Sequence, residues 1–239
     1  MKLSDLIRKK SRPFCSVVIV AAGSSTRMGE DKLMMPLLGV PVLARSILAF
    51  DRSPLIDEII IVTLSEKIVP VSQLCRDHGV EKVTKILVGG ETRTVSALAG
   101  LSEIDSRARV AAIHDGARPL VTDEIIKAVL HEAVLNKAAA PAVPLKDTVK
   151  IVKDGVVVRT PDRTGLAAVQ TPQAFWPDII KGALTDAINH GRTITDDCSA
   201  VEALGVPVHL TAGSYENIKI TTPDDISAAE AILTGRGER

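Results

Sequence analysis

The chain has 239 residues, 46% of them hydrophobic and 24% charged, which is enough apolar material for a full globular core. Its 29 basic residues balance 29 acidic ones, and with one Trp, one Tyr and three Phe it has neither the field nor the stacking surface of a nucleic-acid binder. Cys15, Cys75 and Cys198 are widely spaced with no C-x-x-C pair, which excludes a zinc motif and reads as free thiols in a reducing compartment.

Residues 1–13, M-K-L-S-D-L-I-R-K-K-S-R-P, read as a short helical or frayed extension. The basic residues follow the few apolar ones, the reverse of a secretory signal, and no stretch approaches the ~18 consecutive apolar residues of a membrane span. The expectation is a cytoplasmic protein with no membrane partner. From Ser16 to Ala22 a β-branched run forms a buried strand that enters the turn A-A-G-S-S-T-R-M-G. The turn is neither a Walker A loop nor a dinucleotide fingerprint. Ala21, Ala22 and Gly23 carry almost no side chain, so a nucleotide can approach the main chain, while Arg27 and Lys32 bring a planar donor fork and a point charge to one place. The residues point to a polyphosphate site; the plainer reading is a surface loop with two solvated cations.

Strand and helix patterns then alternate. A helix from about Val42 precedes a strand at Glu58 to Val62 and a helix at Val69 to His78. A strand at Lys85 to Val88 precedes a helix at Thr94 to Glu103, and a strand at Val110 to Ile113 precedes a helix at Asp123 to Asn136 and a strand at Ala138 to Val143. This βαβ repetition predicts an α/β fold with a mostly parallel Rossmann-like sheet, and places a ligand at the carboxyl ends of the strands. The motifs fall there. G-G-E-T-R-T-V-S closes the third strand, where Gly90 and Ser96 offer hydrogen bonds to a base or ribose, or simple turn chemistry. I-H-D-G-A-R-P closes the fourth, where Asp115 suits a divalent cation bridging phosphates, or pairs with Arg118. His114 reads equally as a packing or a functional residue.

The alternation breaks after Lys146. Thr148 to Val152 and Val156 to Thr160 flank Lys153, Asp154 and Gly155, a strong hairpin signal. Valine on both strands makes it either an arm seeking a partner surface or an edge hairpin packed on its own domain. Thr148 and Arg163, on or beside it, suit a second phosphate. Helices at Pro177 to His190 and Asp196 to Leu204, strands at Val208 to Leu210 and Ile218 to Thr221, and a helix after Pro223 complete the chain. Alternation in the last strand sets Asn217 and Lys219 on one side and packs Ile218 and Ile220; a lysine so placed requires an anion. No Ser-His-Asp or Cys-His arrangement stands out, so charge stabilisation of phosphoryl-type chemistry by cations and a metal is the economical mechanism.

Over about residues 16–234 the ordered motifs A-A-G-S-S-T-R-M-G, G-G-E-T-R-T-V-S, H-D-G-A-R-P, K-D-T, D-R-T-G-L, Q-T-P-Q-A-F, T-D-D-C-S-A-V-E and N-I-K-I-T-x-P-D-D resemble those of the glycosyltransferase-A-like nucleotidyltransferases. Within them the chain resembles the 2-C-methyl-D-erythritol 4-phosphate cytidylyltransferase family. The resemblance implies a single nucleotidyltransferase domain over 14–239 with a β-arm at about 146–165, CTP and methylerythritol 4-phosphate as substrates, Mg²⁺, and a homodimer whose arm reaches the partner's site. It implies that Arg27, Lys32 and Lys219 act on the phosphates, that Asp115 binds Mg²⁺, and that Ala21, Ala22, Gly23, Gly90 and Ser96 hold the cytidine moiety. Thr148 and Arg163 would bind the acceptor phosphate. D-K-L-M-M-P-L after the first loop departs from the family's usual glutamine and aromatic residue. Two other readings stand beside this one: a ribitol 5-phosphate cytidylyltransferase, which shares the nucleotide motifs, and a silent nucleotide-binding module.

Overall fold

The computed structural model describes residues 12–23 and 31–238. The first part of the chain runs β1 (Phe14–Val20), a small hairpin of β2 (Pro36–Leu37) and β3 (Val40–Pro41), α1 (Val42–Arg52), β4 (Glu58–Thr63), α2 (Ile68–Asp77), β5 (Val83–Val88), α3 (Arg93–Ser102), β6 (Ala108–Asp115), α4 (Asp123–Asn136) and β7 (Ala138–Pro144). The second part runs β8 (Ile151–Lys153), β9 (Val156–Arg159), β10 (Ala167–Val169), β11 (Gln173–Phe175), α5 (Pro177–Asn189), α6 (Asp197–Ala203), β12 (His209–Ala212) and α7 (Pro223–Gly235).

The central strands β1, β4 and β6 are near-continuous apolar runs because helices cover both faces of the sheet. Val17, Ile19, Ile59 and Ile61 pack on one side with α1, α4 and α7, whereas Val18, Ile60 and Val62 pack on the other with α3, α5 and α6. Among the described residues the strands run in the order β10-β7-β11-β6-β1-β4-β5, with β12 on β7. β1 pairs in parallel with both β4 and β6, and only β10 and β11 run against the rest. The chain steps from β1 outward to β4 and β5, then returns to lay β6 on the other side of β1. That reversal opens a crevice at the carboxyl ends of β1 and β6.

The sequence pattern misses β10 and β11, whose three-residue runs of Ala, Val, Gln and Phe carry too little periodicity to register. The strand expected at Ile218 to Thr221 does not form. Ile220 N–H donates to Ala117 O at 2.8 Å and Ile218 N–H turns back onto Glu216 O at 2.8 Å, so the two isoleucines reflect packing on the core and not a ladder. β8 and β9 form a two-stranded sheet of their own, shorter than expected, with Asp154 at φ 51 and Gly155 at φ 79 supplying the two left-handed positions of its turn. Its valines stay exposed, Val156 by 69% and Val158 by 60%.

The three cysteines are free and buried, and burial pushes the Cys15 and Cys75 thiols up to about 11. No helix among the described residues is long and apolar enough to cross a membrane.

α3 lies close on the sheet because Gly100 has no side chain: a Cβ there would stand 2.4 Å from Val18 Cγ1 and 2.9 Å from Val62 Cγ2. This approach carries Arg93 and Ser96, in the helix's first turns, to the crevice. Gly100→Ala should therefore lower stability by about 1 to 3 kcal/mol through overpacking, despite alanine's better helix propensity, as read by chemical denaturation.

Candidate active site

The crevice is a cleft of about 480 Å³. Ala21, Ala22 and Gly23, directly after β1, line one wall, with Lys32 and Leu33 beyond them; Gly90, Glu91, Thr92, Arg93 and Ser96 come from the turn into α3 and its first turns. Asp115 at the end of β6 and Lys219 from the loop before α7 complete the lining. Ala21 N–H donates to Val62 O at 2.7 Å and Gly89 N–H to Thr63 O at 2.7 Å, so β4 fixes both glycine-bearing turns. Thr92 caps α3 by accepting from Val95 N–H. The Ser96 hydroxyl accepts from Gly90 N–H at 3.1 Å and donates to Thr92 O at 2.9 Å, which holds the turn against the helix.

Asp115 is the electrostatic centre. Its carboxylate accepts from Arg93 Nε at 3.0 Å on one oxygen and from Lys219 Nζ at 2.7 Å on the other, and Arg118 Nε lies 3.9 Å away. Burial alone would raise its pKa, but the charges of Arg93 and Lys219 outweigh it and hold the group well below the usual carboxylate range. Arg93 also donates through Nη2 to Asp197 at 2.8 Å. Asp197 is fully buried in the first turn of α6; burial raises its pKa against the pull of Arg93. The Arg93 guanidinium, which burial disfavours, is held charged by Asp197 and Asp115 together.

The structure thus brings together Ala21, Ala22, Gly23, Lys32, Gly90, Ser96, Asp115 and Lys219, the residues singled out by sequence for the nucleotide, the metal and the phosphates. Arg27 lies outside the described residues. Thr148 and Arg163 are exposed beside the hairpin and do not line the cleft of their own chain; Arg163 Nη1 donates to Lys146 O at 2.7 Å. The anion required by Lys219 is Asp115. Asn217 does not share its side: it is fully buried behind the cleft. Sequence reasoning passed over Arg93 and Asp197. The available signal was the second aspartate of T-D-D: Asp196 caps α6, which leaves Asp197, on the buried face with Ala200 and Val201, in need of a cation.

The family model described as IspD, 2-C-methyl-D-erythritol 4-phosphate cytidylyltransferase, matches residues 15–235. The chain belongs to this family. A 2-C-methyl-D-erythritol 4-phosphate cytidylyltransferase of Symbiobacterium thermophilum is 47% identical over 221 residues, covering 91% of this chain and 92% of the relative. The protein of the same name from Caldanaerobacter subterraneus subsp. tengcongensis is 46% identical over 226 residues, covering 91% and 98%. The crystal structure of the 4-diphosphocytidyl-2C-methyl-D-erythritol synthase from Anaerococcus prevotii superposes with a TM-score of 0.84 at 32% identity, covering 93% of this chain and 96% of that one. As a member of the cytidylyltransferase family the chain is a nucleotidyltransferase, and its parallel sheet with flanking helices is the fold of those structures.

His114, beside Asp115, lies in the interior of this cytidylyltransferase fold. It is fully buried with its edge on Phe50, ring centroids 4.7 Å apart, and burial pushes its pKa from 6.5 down to about 3. Its folded pKa lies below its unfolded one, so the unfolded chain binds the extra proton between these values. This contribution to stability is present above pH 6.5 and is lost as pH falls, at up to roughly 1.4 kcal/mol per pH unit. In His114→Gln the fall in unfolding free energy between pH 7 and pH 5 should be shallower than in the parent; an unchanged slope assigns the acid sensitivity to other groups.

Proposed function

We propose that this cleft is where the chain transfers CMP from CTP to 2-C-methyl-D-erythritol 4-phosphate, giving 4-diphosphocytidyl-2-C-methyl-D-erythritol and pyrophosphate in non-mevalonate isoprenoid biosynthesis. Membership of the cytidylyltransferase family supports the reaction. The observation that carries the assignment to this cleft is the ionised Asp115, ringed by Arg93, Lys219 and Arg118 and facing the glycine-bearing turns.

Ala21, Ala22, Gly23, Gly90 and Ser96 form the wall on which the cytidine moiety lies. Arg27 and Lys32 hold the triphosphate, and Lys219 faces the phosphates from the opposite side. An oxygen of the acceptor's phosphate attacks the α-phosphorus of CTP; the new P–O bond forms as the bond to the β-phosphate oxygen breaks, and pyrophosphate leaves with its electrons. The acceptor phosphate, with a second pKa of about 6, is already largely ionised at pH 7, so no general base is needed. The cations stabilise the charge that builds on the transferring group.

Asp115 would hold Mg²⁺. Asp115 and Glu91 are the carboxylates of the cleft lining, and Mg²⁺ is commonly bound by one or two carboxylates completed by substrate phosphates and water. When bound, it neutralises phosphate charge. Thr148 and Arg163, which do not line their own chain's cleft, serve the acceptor phosphate of a second protomer, and the exposed valines of β8 and β9 make the hairpin the arm that delivers them.

With purified protein, CTP and Mg²⁺, pyrophosphate release should require methylerythritol 4-phosphate and be far slower with ribitol 5-phosphate. Preferential release with ribitol 5-phosphate reassigns the acceptor, and silence with both leaves a nucleotide-binding module. The shared site has its own test. Arg163→Ala should raise the acceptor KM with CTP binding kept, and heterodimers of inactive Arg27→Ala and Arg163→Ala subunits should regain activity at one of their two sites; none in confirmed heterodimers refutes the crossing arm.

A further inference from the structure

Lys219 stands on a segment with no ladder bonds, yet its ammonium meets Asp115 at 2.7 Å. Beside the backbone bond from Ile220 N–H to Ala117 O, a closed ring of hydrogen bonds behind the cleft holds this segment. Asn217, two residues before Lys219, donates through Nδ2 to Thr171 O at 3.0 Å and Gln170 Oε1 at 3.3 Å. Thr171 Oγ1 accepts from Asp115 N–H at 3.1 Å and contacts His114 Nδ1 at 3.0 Å. His114 Nε2 lies 3.2 Å from Arg118 O, and Arg118 Nη1 donates to Asn217 O at 2.7 Å, which closes the circuit.

The proton order within the ring is fixed. Arg118 O can only accept, so the single proton of the neutral imidazole sits on Nε2; Nδ1 is then an acceptor and the Thr171 hydroxyl donates to it. Three of its four residues are buried, His114 and Asn217 fully and Thr171 to 5% exposure, and the Arg118 side chain is 13% exposed. In such surroundings an unmade bond is costly, and among the ring's side-chain atoms Asn217 Oδ1 and Arg118 Nε are buried with no hydrogen bond. It ties the end of β6, which carries Asp115, to the loop that carries Lys219.

We propose that this ring is a registration device, in which Thr171 and Asn217 are positioning residues that hold the Lys219 ammonium against Asp115 and hence at the reacting phosphates. The proposal rests on the reading that Lys219 acts on those phosphates. Neither Thr171 nor Asn217 lines the cleft; Thr171 reaches it through the backbone N–H of Asp115, and Asn217 through the loop that carries Lys219.

A double-mutant cycle separates positioning from mere stability. Thr171→Val keeps the shape and deletes the hydroxyl; Thr171→Ser keeps the hydroxyl; Asn217→Ala removes the amide. Each is made alone and in a Lys219→Ala background, with kcat, equilibrium CTP binding and thermal unfolding measured. Thr171→Val and Asn217→Ala should lose about 10- to 100-fold in kcat with CTP binding kept, the loss should largely vanish when Lys219 is already alanine, and Thr171→Ser should restore most of the turnover. If Asn217→Ala does not fold, the nearly isosteric Thr171 series decides alone. Losses that persist undiminished in the Lys219→Ala background, or unchanged kcat in Thr171→Val, overturn the ring as a positioning device and leave Lys219's role standing. Full turnover in Lys219→Ala removes that role and the ring's with it.

Discussion

An ionised carboxylate held at the buried end of a central strand is the constraint around which this structure is organised. Asp115 ends β6 where the sheet's order reverses, and burying its charge is tolerable only because cations converge on it. Around it stand Arg93, Arg118 and Lys219 against Asp115 and Asp197, three positive charges to two negative, which leaves an excess of one positive charge beside the cleft. A small surplus of fixed cations on a wall made of glycine, alanine and backbone is a setting for a polyanion. Taking away one partner of such a cluster is more damaging than its net worth suggests, because the remaining charge is stranded away from water.

The fold supplies these charges from distant parts of the chain. Arg93 joins the first turn of α3 to the first turn of α6, 104 residues apart, through one guanidinium. Arg118 and Lys219 come from the loops after β6 and before α7, which the backbone bond from Ile220 N–H to Ala117 O at 2.8 Å joins directly. The sheet provides the rigid frame: β1, β4 and β6 are buried on both faces, and α3 is drawn onto it at Gly100. Precision at the site therefore comes from buried polar bonds that bridge loops to strands, over a core that supplies stability.

The same division explains the hairpin. β8 and β9 pair only with each other and expose a row of valines, so their packing contributes little within one chain. Its base carries Thr148 and Arg163, neither of which lines the cleft of its own chain.

The sequence by itself determined the architecture and most of the cleft's lining. Buried parallel strands read as unbroken β-branched runs, and α4, Asp123–Asn136, begins and ends where its amphipathic period predicts. Ala21, Gly23, Gly90 and Asp115 are legible because they sit directly at strand ends, where local order already points them at the crevice. Only the tertiary structure decided who partners whom. Asn217 and Lys219 share a parity that would set them side by side on a strand, but the segment is a loop, so Asn217 turns into the interior and Lys219 to Asp115. Arg93 and Asp197 went unread for the same reason: an ion pair between residues 104 apart leaves no periodic trace, since it depends on how α3 and α6 pack on the sheet and not on either helix alone.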